Sequence, residues 1–285
     1  MGTLPHWPEP DSKVELGETL LQGGGPVATA LVSLARLGAS AAILGRVGDD
    51  EFGDRIRTGL AAEGVDCRGL EVDPGRSSQF AFIAVAGDGK RTIFWHRGSA
   101  RPLAAEEVDP LFVRSCRVLH LDGLHLDSAL AAARIARSAG VVTVLDGGTL
   151  REGAEALLPL IDHLVVSEKF ARQLAGCLQP RDVPARLLAY GAKAATVTLG
   201  EGGSWSQIPG AAAFHQPAFA VSAVDTTGCG DVFHGGYIFG LLRGWDLPHT
   251  VRFAAACAAL KTRALGGRTA IPTLLEVLTF LHSNS

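Results

Sequence analysis

Disulfide frameworks and zinc ribbons need cysteines in register, and this sequence has few: five in 285 residues, none in a Cys-x-x-Cys pair. A dispersed, odd-numbered set reads as reduced thiols and points to the cytoplasm. Long apolar runs are also scarce, so no membrane-crossing helix is expected. Charge of one sign is concentrated nowhere. With 26 Lys and Arg against 29 Asp and Glu the net charge is −3, and no basic block favours nucleic acid or an anionic membrane as a partner. The opening stretch MGTLPHWPEPDSK has neither the basic start nor the apolar middle of a secretory signal. No G-x-x-x-x-G-K-[ST] loop occurs, and the nine histidines form no H-x-H or H-x-x-x-H pair.

What is present is apolar and periodic. Hydrophobic residues make up 47% of the chain and charged ones 19%, enough for a sizeable core. Residues 13–22 alternate polar and apolar, as a half-exposed strand does. Two further alternating runs within 78–97 flank Gly87-Asp88-Gly89, a hairpin signal. From residue 117 onward strands and helices alternate, with strands ending at Asp122, Asp146, Ser167 and Leu199, and helices over 231–243, 250–265 and 274–281. Repeated βα units predict a mostly parallel sheet covered on both faces, with ligands at the carboxyl ends of its strands.

The most telling segment is Asp225-Thr226-Thr227-Gly228-Cys229-Gly230-Asp231, between a strand-like stretch and a long apolar helix. A helix start carries unpaired N–H groups and a partial positive charge, and glycines let an anion approach that bare backbone. A carboxylate in the same turn can take a proton from a hydroxyl held against the anion, which is a phosphoryl-transfer design. From these residues alone an ordinary capped strand–turn–helix junction explains the segment equally well.

The run DTTGCGD with VFHGG after it resembles the C-terminal signature of the ribokinase-like (PfkB) carbohydrate kinases, D-T-x-G-A-G-D, departing only at Cys229. Gly23-Gly24-Gly25-Pro26-Val27-Ala28-Thr29-Ala30, then Arg36-Leu37-Gly38 and Gly45 through Gly53, resembles the family's N-terminal signature. Thr198 through Gly203 resembles its V-T-x-G-x-x-G nucleotide loop. The resemblance implies a three-layer α/β/α sandwich with a small β-sheet lid. Residues 23–77 and 98–285 are expected to form the core, and 11–22 with 78–97 the lid. It implies Asp231 as general base, with Gly228, Cys229 and Gly230 giving N–H groups to the migrating phosphoryl group. Gly23, Gly24, Gly25 and Thr29 are implied for the sugar, and Thr198, Gly200, Gly203 and Thr227 for the nucleotide. Cofactors follow in the same way: ATP, Mg²⁺ near Asp225 and Glu168, and a monovalent cation such as K⁺ on the loop Ala264–Arg268. A lid with open edges and exposed aromatics is expected to pair two copies into a homodimer.

The chain also departs from the pattern. Ala28 stands where the family has a sugar-binding asparagine, and Phe170 where it has a metal-linked glutamate. The family's first strand, ending in a sugar-binding aspartate, has no counterpart before residue 13, and Asp11 in its Pro-rich loop is no substitute. The expected activity is transfer of the ATP γ-phosphoryl group to a hydroxyl of a ketose or related sugar. The alternatives are a nucleoside kinase of the same superfamily and a catalytically impaired paralogue that only binds sugar or nucleotide.

Overall fold

The computed structural model describes residues 1–86, 91–176 and 179–284. In chain order the elements are β1 (Gly2–Leu4), α1 (Pro26–Arg36), β2 (Ala42–Gly48), α2 (Glu51–Ala62), β3 (Asp66–Asp73), β4 (Phe80–Ala86), β5 (Arg91–His96) and α3 (Pro110–Ser115). Then follow β6 (Val118–Leu121), α4 (Leu126–Ala139), β7 (Val142–Gly147), β8 (His163–Ser167), α5 (Glu168–Ala175), α6 (Val183–Leu188), β9 (Ala194–Thr198), β10 (Ser204–Gln207) and β11 (Phe214–Gln216). Three helices close the chain: α7 (Cys229–Arg243), α8 (Leu247–Lys261) and α9 (Leu274–Ser283).

Strands β6 to β9 run parallel, and β10 and β11 extend the sheet antiparallel. Alternation sorts their side chains between two helical layers. Val144 and Val165 face one cluster with α1, α7 and α8, while Leu145, Leu164 and Val166 face another with α4, α5 and α6. This is the expected three-layer α/β/α sandwich. Helix α7 lies at its centre, buried from Val232 to Gly240, because it is apolar all round.

The sheet layer is interrupted. β2 pairs with β3, and among the described residues no strand joins β2 to β6. The two edges nevertheless share the same faces. Ile43, Val47 and Val118 pack on the α1–α7 side, and Leu44, Leu119 and Leu121 on the α3–α4 side. A slot separates them, and both edges line one cavity of about 1890 Å³. Because of the slot, Val118 to Leu121 are only half-buried, whereas Leu164, Val165 and Val166 one strand beyond β7 are fully buried.

The lid differs from its expected form. Residues 13–22 carry no strand; the strand is Gly2–Leu4, parallel to β4, which pairs antiparallel with β5. Residues 17–20 run beside β1 with one isolated bridge, Gly2 to Thr19. Backbone bonds join the two segments at Thr3 N–H to Glu18 O, 2.9 Å, and Gly17 N–H to Thr3 O, 3.0 Å, while the Glu18 N–H between them donates to the Thr3 side-chain oxygen at 2.8 Å and breaks the regular register. The expected hairpin turn at Gly87-Asp88-Gly89 lies outside the described residues.

An open slot predicts uneven protection. In native-state hydrogen exchange the slot-facing amides of β2 and β6 should exchange at least about tenfold faster than those of β8. Equal protection across the three strands would contradict an open slot.

Candidate active site

Helix α7 starts without a side-chain cap. Its N-cap is Gly228, at φ 79° and ψ 0°, a left-handed conformation that suits glycine alone. A Cβ there would also lie 2.7 Å from the Gly267 carbonyl oxygen. Among the described residues the N–H groups of Gly228, Gly230 and Asp231 make no hydrogen bond, whereas the Cys229 N–H donates to Thr226 O at 3.2 Å. The expectation that Cys229 lends its amide is therefore corrected: the turn itself uses that donor, and Asp231 supplies another. Burial pushes the Cys229 thiol up, so it packs as a small side chain and carries no thiolate.

Asp225 fixes this turn. Its carboxylate accepts from the N–H of Thr227 and of Gly266, both at 2.8 Å, and its carbonyl accepts from the buried Lys261 ammonium at 3.1 Å. Burial works against its ionisation, but the hydrogen bonds outweigh it and hold the carboxyl below its ordinary range. From the lid, Arg91 donates to the Thr226 hydroxyl at 2.8 Å. The Thr227 hydroxyl is buried without a partner, and Thr227, Gly228 and Asp231 all line the large cavity.

Asp231 sits in the first turn of α7. Burial, then the neighbouring Asp146, push its carboxyl up to about 7, while His234 and Arg268 oppose them. Asp122 is pushed up to about 6 by burial, with Asp146 adding to it. Three carboxylates thus meet at the carboxyl ends of β6 and β7 and the head of α7. Sequence reasoning missed Asp122 and Asp146 as functional residues, although each closes an apolar strand and precedes a glycine. It also missed two buried basic side chains whose isolated positions carry no signal: Arg268 and His234, which are 7% and 4% exposed.

Arg268 ties the glycine loop to this cluster. Its guanidinium donates to Gly24 O at 3.0 Å and more weakly to the Thr29 hydroxyl at 3.4 Å. A Cβ on Gly23 would lie 2.3 Å from that guanidinium, so the glycine is there for close approach. Gly23, Gly24 and Gly25 line the cavity with Asp231. Thr29 is 1% exposed; its hydroxyl oxygen accepts from Arg268, and the residue lines the cavity beside the glycines.

Other expected residues stand further off. Thr198, Gly200 and Gly203 form a closed loop at the end of β9, with the Leu199 N–H on Gly203 O at 2.8 Å. They share the carboxyl edge of the sheet but not the cavity around Asp231. Glu168 opens α5 and pairs with Arg172 at 2.6 Å. Among the described residues no group of three or more His, Cys, Asp or Glu is arranged to hold a metal. Arg151 is exposed, as expected of a surface arginine, though it lines the cavity mouth.

The Asp231 carboxyl binds its proton more tightly in the folded chain, at about 7, than its ordinary 3.8. Ionisation above about pH 7 therefore costs the folded state stability, and the cost fades toward pH 4. Asp231→Asn should raise Tm at pH 8 and lose that advantage near pH 4. A lower Tm at pH 8 would contradict a strained carboxylate.

Residues 4–274 match the family described as pfkB family carbohydrate kinase. An ATP-dependent ribose-1-phosphate kinase of Halopiger xanaduensis is 32% identical over 283 residues, covering 96% of this chain and 91% of the relative. A solved Agrobacterium tumefaciens protein provisionally assigned as a ribokinase superposes with a TM-score of 0.91 at 29% identity, covering 99% of this chain and 93% of that one. An Escherichia coli protein provisionally assigned as ribokinase II, solved with ATP and Mg²⁺, gives 0.85 at 26% identity, covering 99% and 96%. With a family match across nearly its whole length and a fold to agree, the chain belongs to the pfkB family of carbohydrate kinases.

Proposed function

We propose that the protein transfers the γ-phosphoryl group of ATP to a hydroxyl of a sugar, with Asp231 as general base. One observation carries this reading: Asp231 lines the cleft in the same helical turn as three unpaired N–H groups. Phosphoryl transfer asks for alignment and charge stabilisation more than for a strong base. The hydroxyl becomes acidic as its bond to phosphorus forms, and the Asp231 carboxylate receives that proton. The N–H groups of Gly228, Gly230 and Asp231 face the charge that develops on the phosphoryl oxygens. The main chain of Gly23 to Gly25, held by Arg268, forms the sugar side.

The nucleotide fits the residues present. The orphaned Thr227 hydroxyl supplies a donor to a phosphate, and the loop of Thr198, Gly200 and Gly203 extends the site along the sheet edge for the rest of the nucleotide. Among the described residues magnesium has no cage of its own: Asp225 accepts from two N–H donors and Glu168 pairs with Arg172. A magnesium ion would be held by the nucleotide phosphates, with Asp225 and Glu168 the nearest expected carboxylates, and would supply shielding of phosphate charge. The loop 264–268, tied to Asp225 by the Gly266 N–H, is the place for a K⁺ ion. The core comprises residues 23–77 and 98–285, and the lid 78–97 with the segment up to residue 22, β1 included. The scattered cysteines, none in a Cys-x-x-Cys pair, support a cytoplasmic enzyme; among the described residues no helix is long and apolar enough to cross a membrane.

A coupled ADP-release assay over ketoses, aldoses and nucleosides tests the activity. Sugar-dependent release is expected, with a loss of about 10² to 10⁴-fold in Asp231→Asn. Gly230→Ala keeps its N–H and sets a methyl group in open space, so it should fold normally and lower the rate only by crowding the phosphoryl group at the head of α7. Nucleoside-dependent release points to the nucleoside kinase reading, and thermal shifts with ligand but no turnover point to a sensor.

The lid supports a homodimer. On the edge strand β5, Phe94 is 52% exposed on one face and Ile93 and Trp95 are 53% and 51% exposed on the other, toward the cavity, apolar surface that a second copy would cover. Light scattering should report a dimer that Trp95→Asp converts to monomer; a wild-type monomer at micromolar concentration would contradict it.

A further inference from the structure

His234 lies one turn beyond Asp231 on α7, and its ring is sealed from solvent. Its Nδ1 is 2.8 Å from Gly230 O and its Nε2 is 3.1 Å from Val165 O on β8. Carbonyl oxygens only accept hydrogen bonds, and a neutral imidazole carries one N–H. A neutral ring would set a nitrogen lone pair against a carbonyl lone pair at one of the two contacts. Both contacts are satisfied together only when both nitrogens donate. Nδ1 also stands 3.5 Å from a carboxylate oxygen of Asp146, which favours the charged ring.

The groups around this ring fit that state. Asp146 from β7 and Asp231 from α7 bring negative charge, and Asp122 lies beside them at the end of β6. His120 from β6 stacks on it at 5.4 Å, and burial followed by the His234 charge drives His120 down to about 3, so that ring stays neutral. Arg268 is the other cation facing Asp231. The uncharged Phe233 ring meets His234 edge-on at 6.3 Å and stacks in turn on Tyr237.

We propose that His234 is a fixed imidazolium, clamped by two main-chain carbonyls, and that it is the positioning countercharge that lets Asp146 and Asp231 be ionised side by side. Two close buried carboxylates cannot both shed their protons unaided. A cation locked between the backbone of α7 and that of β8 offsets their repulsion without moving. It touches neither sugar nor nucleotide and acts through Asp231, so its catalytic consequence rests on Asp231 being the base. Its protonation does not rest on that reading.

The first test is spectroscopic and uses the wild-type chain. In ¹⁵N-histidine-labelled protein, long-range ¹⁵N–¹H spectra at neutral pH should show both ring nitrogens of His234 protonated, the signals being assigned by their loss in His234→Gln. One unprotonated nitrogen would overturn the proposal whatever the activity, and backbone-to-ring correlations in the wild-type chain give the same assignment if His234→Gln does not fold. The second test is the pH dependence of kcat/KM for the sugar. His234→Gln should move the acid limb upward by about one pH unit, lowering the rate on the limb about tenfold, and recover at alkaline pH. An acid limb that stays in place overturns the positioning role even if the ring proves charged. If Asp231→Asn retains full turnover, the failure belongs to the base assignment, and the nitrogen spectra still decide the charge on His234.

Discussion

Everything about this site depends on charge held out of water. A carboxylate at the head of a buried helix is favoured by the unpaired N–H groups there and penalised by lost hydration. Here the penalty is compounded, because Asp122 and Asp146 crowd the same corner. Two buried cationic side chains oppose it from different directions. Arg268 comes from the loop after α8 and holds the glycine loop as well. His234 comes from α7 itself and rests against β8. The result is a carboxyl with a proton affinity near neutrality, the range in which a general base exchanges protons readily.

The fold brings these groups together by placing strand ends, a helix start and two loops at one edge of the sheet. α7 runs through the centre of the molecule, so the position of its first turn is set by packing over its whole length. The turn before it is fixed by Asp225, whose two oxygens hold the backbone on either side of the cleft. Arg91 links the lid to Thr226 in that same turn. Any shift of the lid is thereby felt at the turn that positions the N–H groups.

Much of this was legible in the sequence, for identifiable reasons. Strands β6 to β9 announce themselves because buried parallel strands are short apolar runs, and α7 because an all-apolar helix must be central. Asp231 is marked by its glycines. β3 was missed because its start, Asp66-Cys67-Arg68-Gly69, is polar and half-exposed, with no alternation to read. Residues 13–22 alternate convincingly, yet a side-chain bond from Thr3 diverts the backbone there. Arg268 and His234 were invisible because a buried cation is defined by partners far away in the chain. Thr29 fitted the pattern and lines the cavity, its oxygen accepting from Arg268. Among the described residues the layer is interrupted between β2 and β6, and its open edges border the same cavity as Asp231.

The most direct test is a crystal structure with ADP, aluminium fluoride and an accepted sugar. The account predicts the metallofluoride within hydrogen-bonding distance, about 3 Å, of the Gly230 and Asp231 N–H groups. It also predicts one sugar hydroxyl between the metallofluoride and the Asp231 carboxylate. A metallofluoride bound away from the head of α7, or a sugar with no hydroxyl on Asp231, would contradict it.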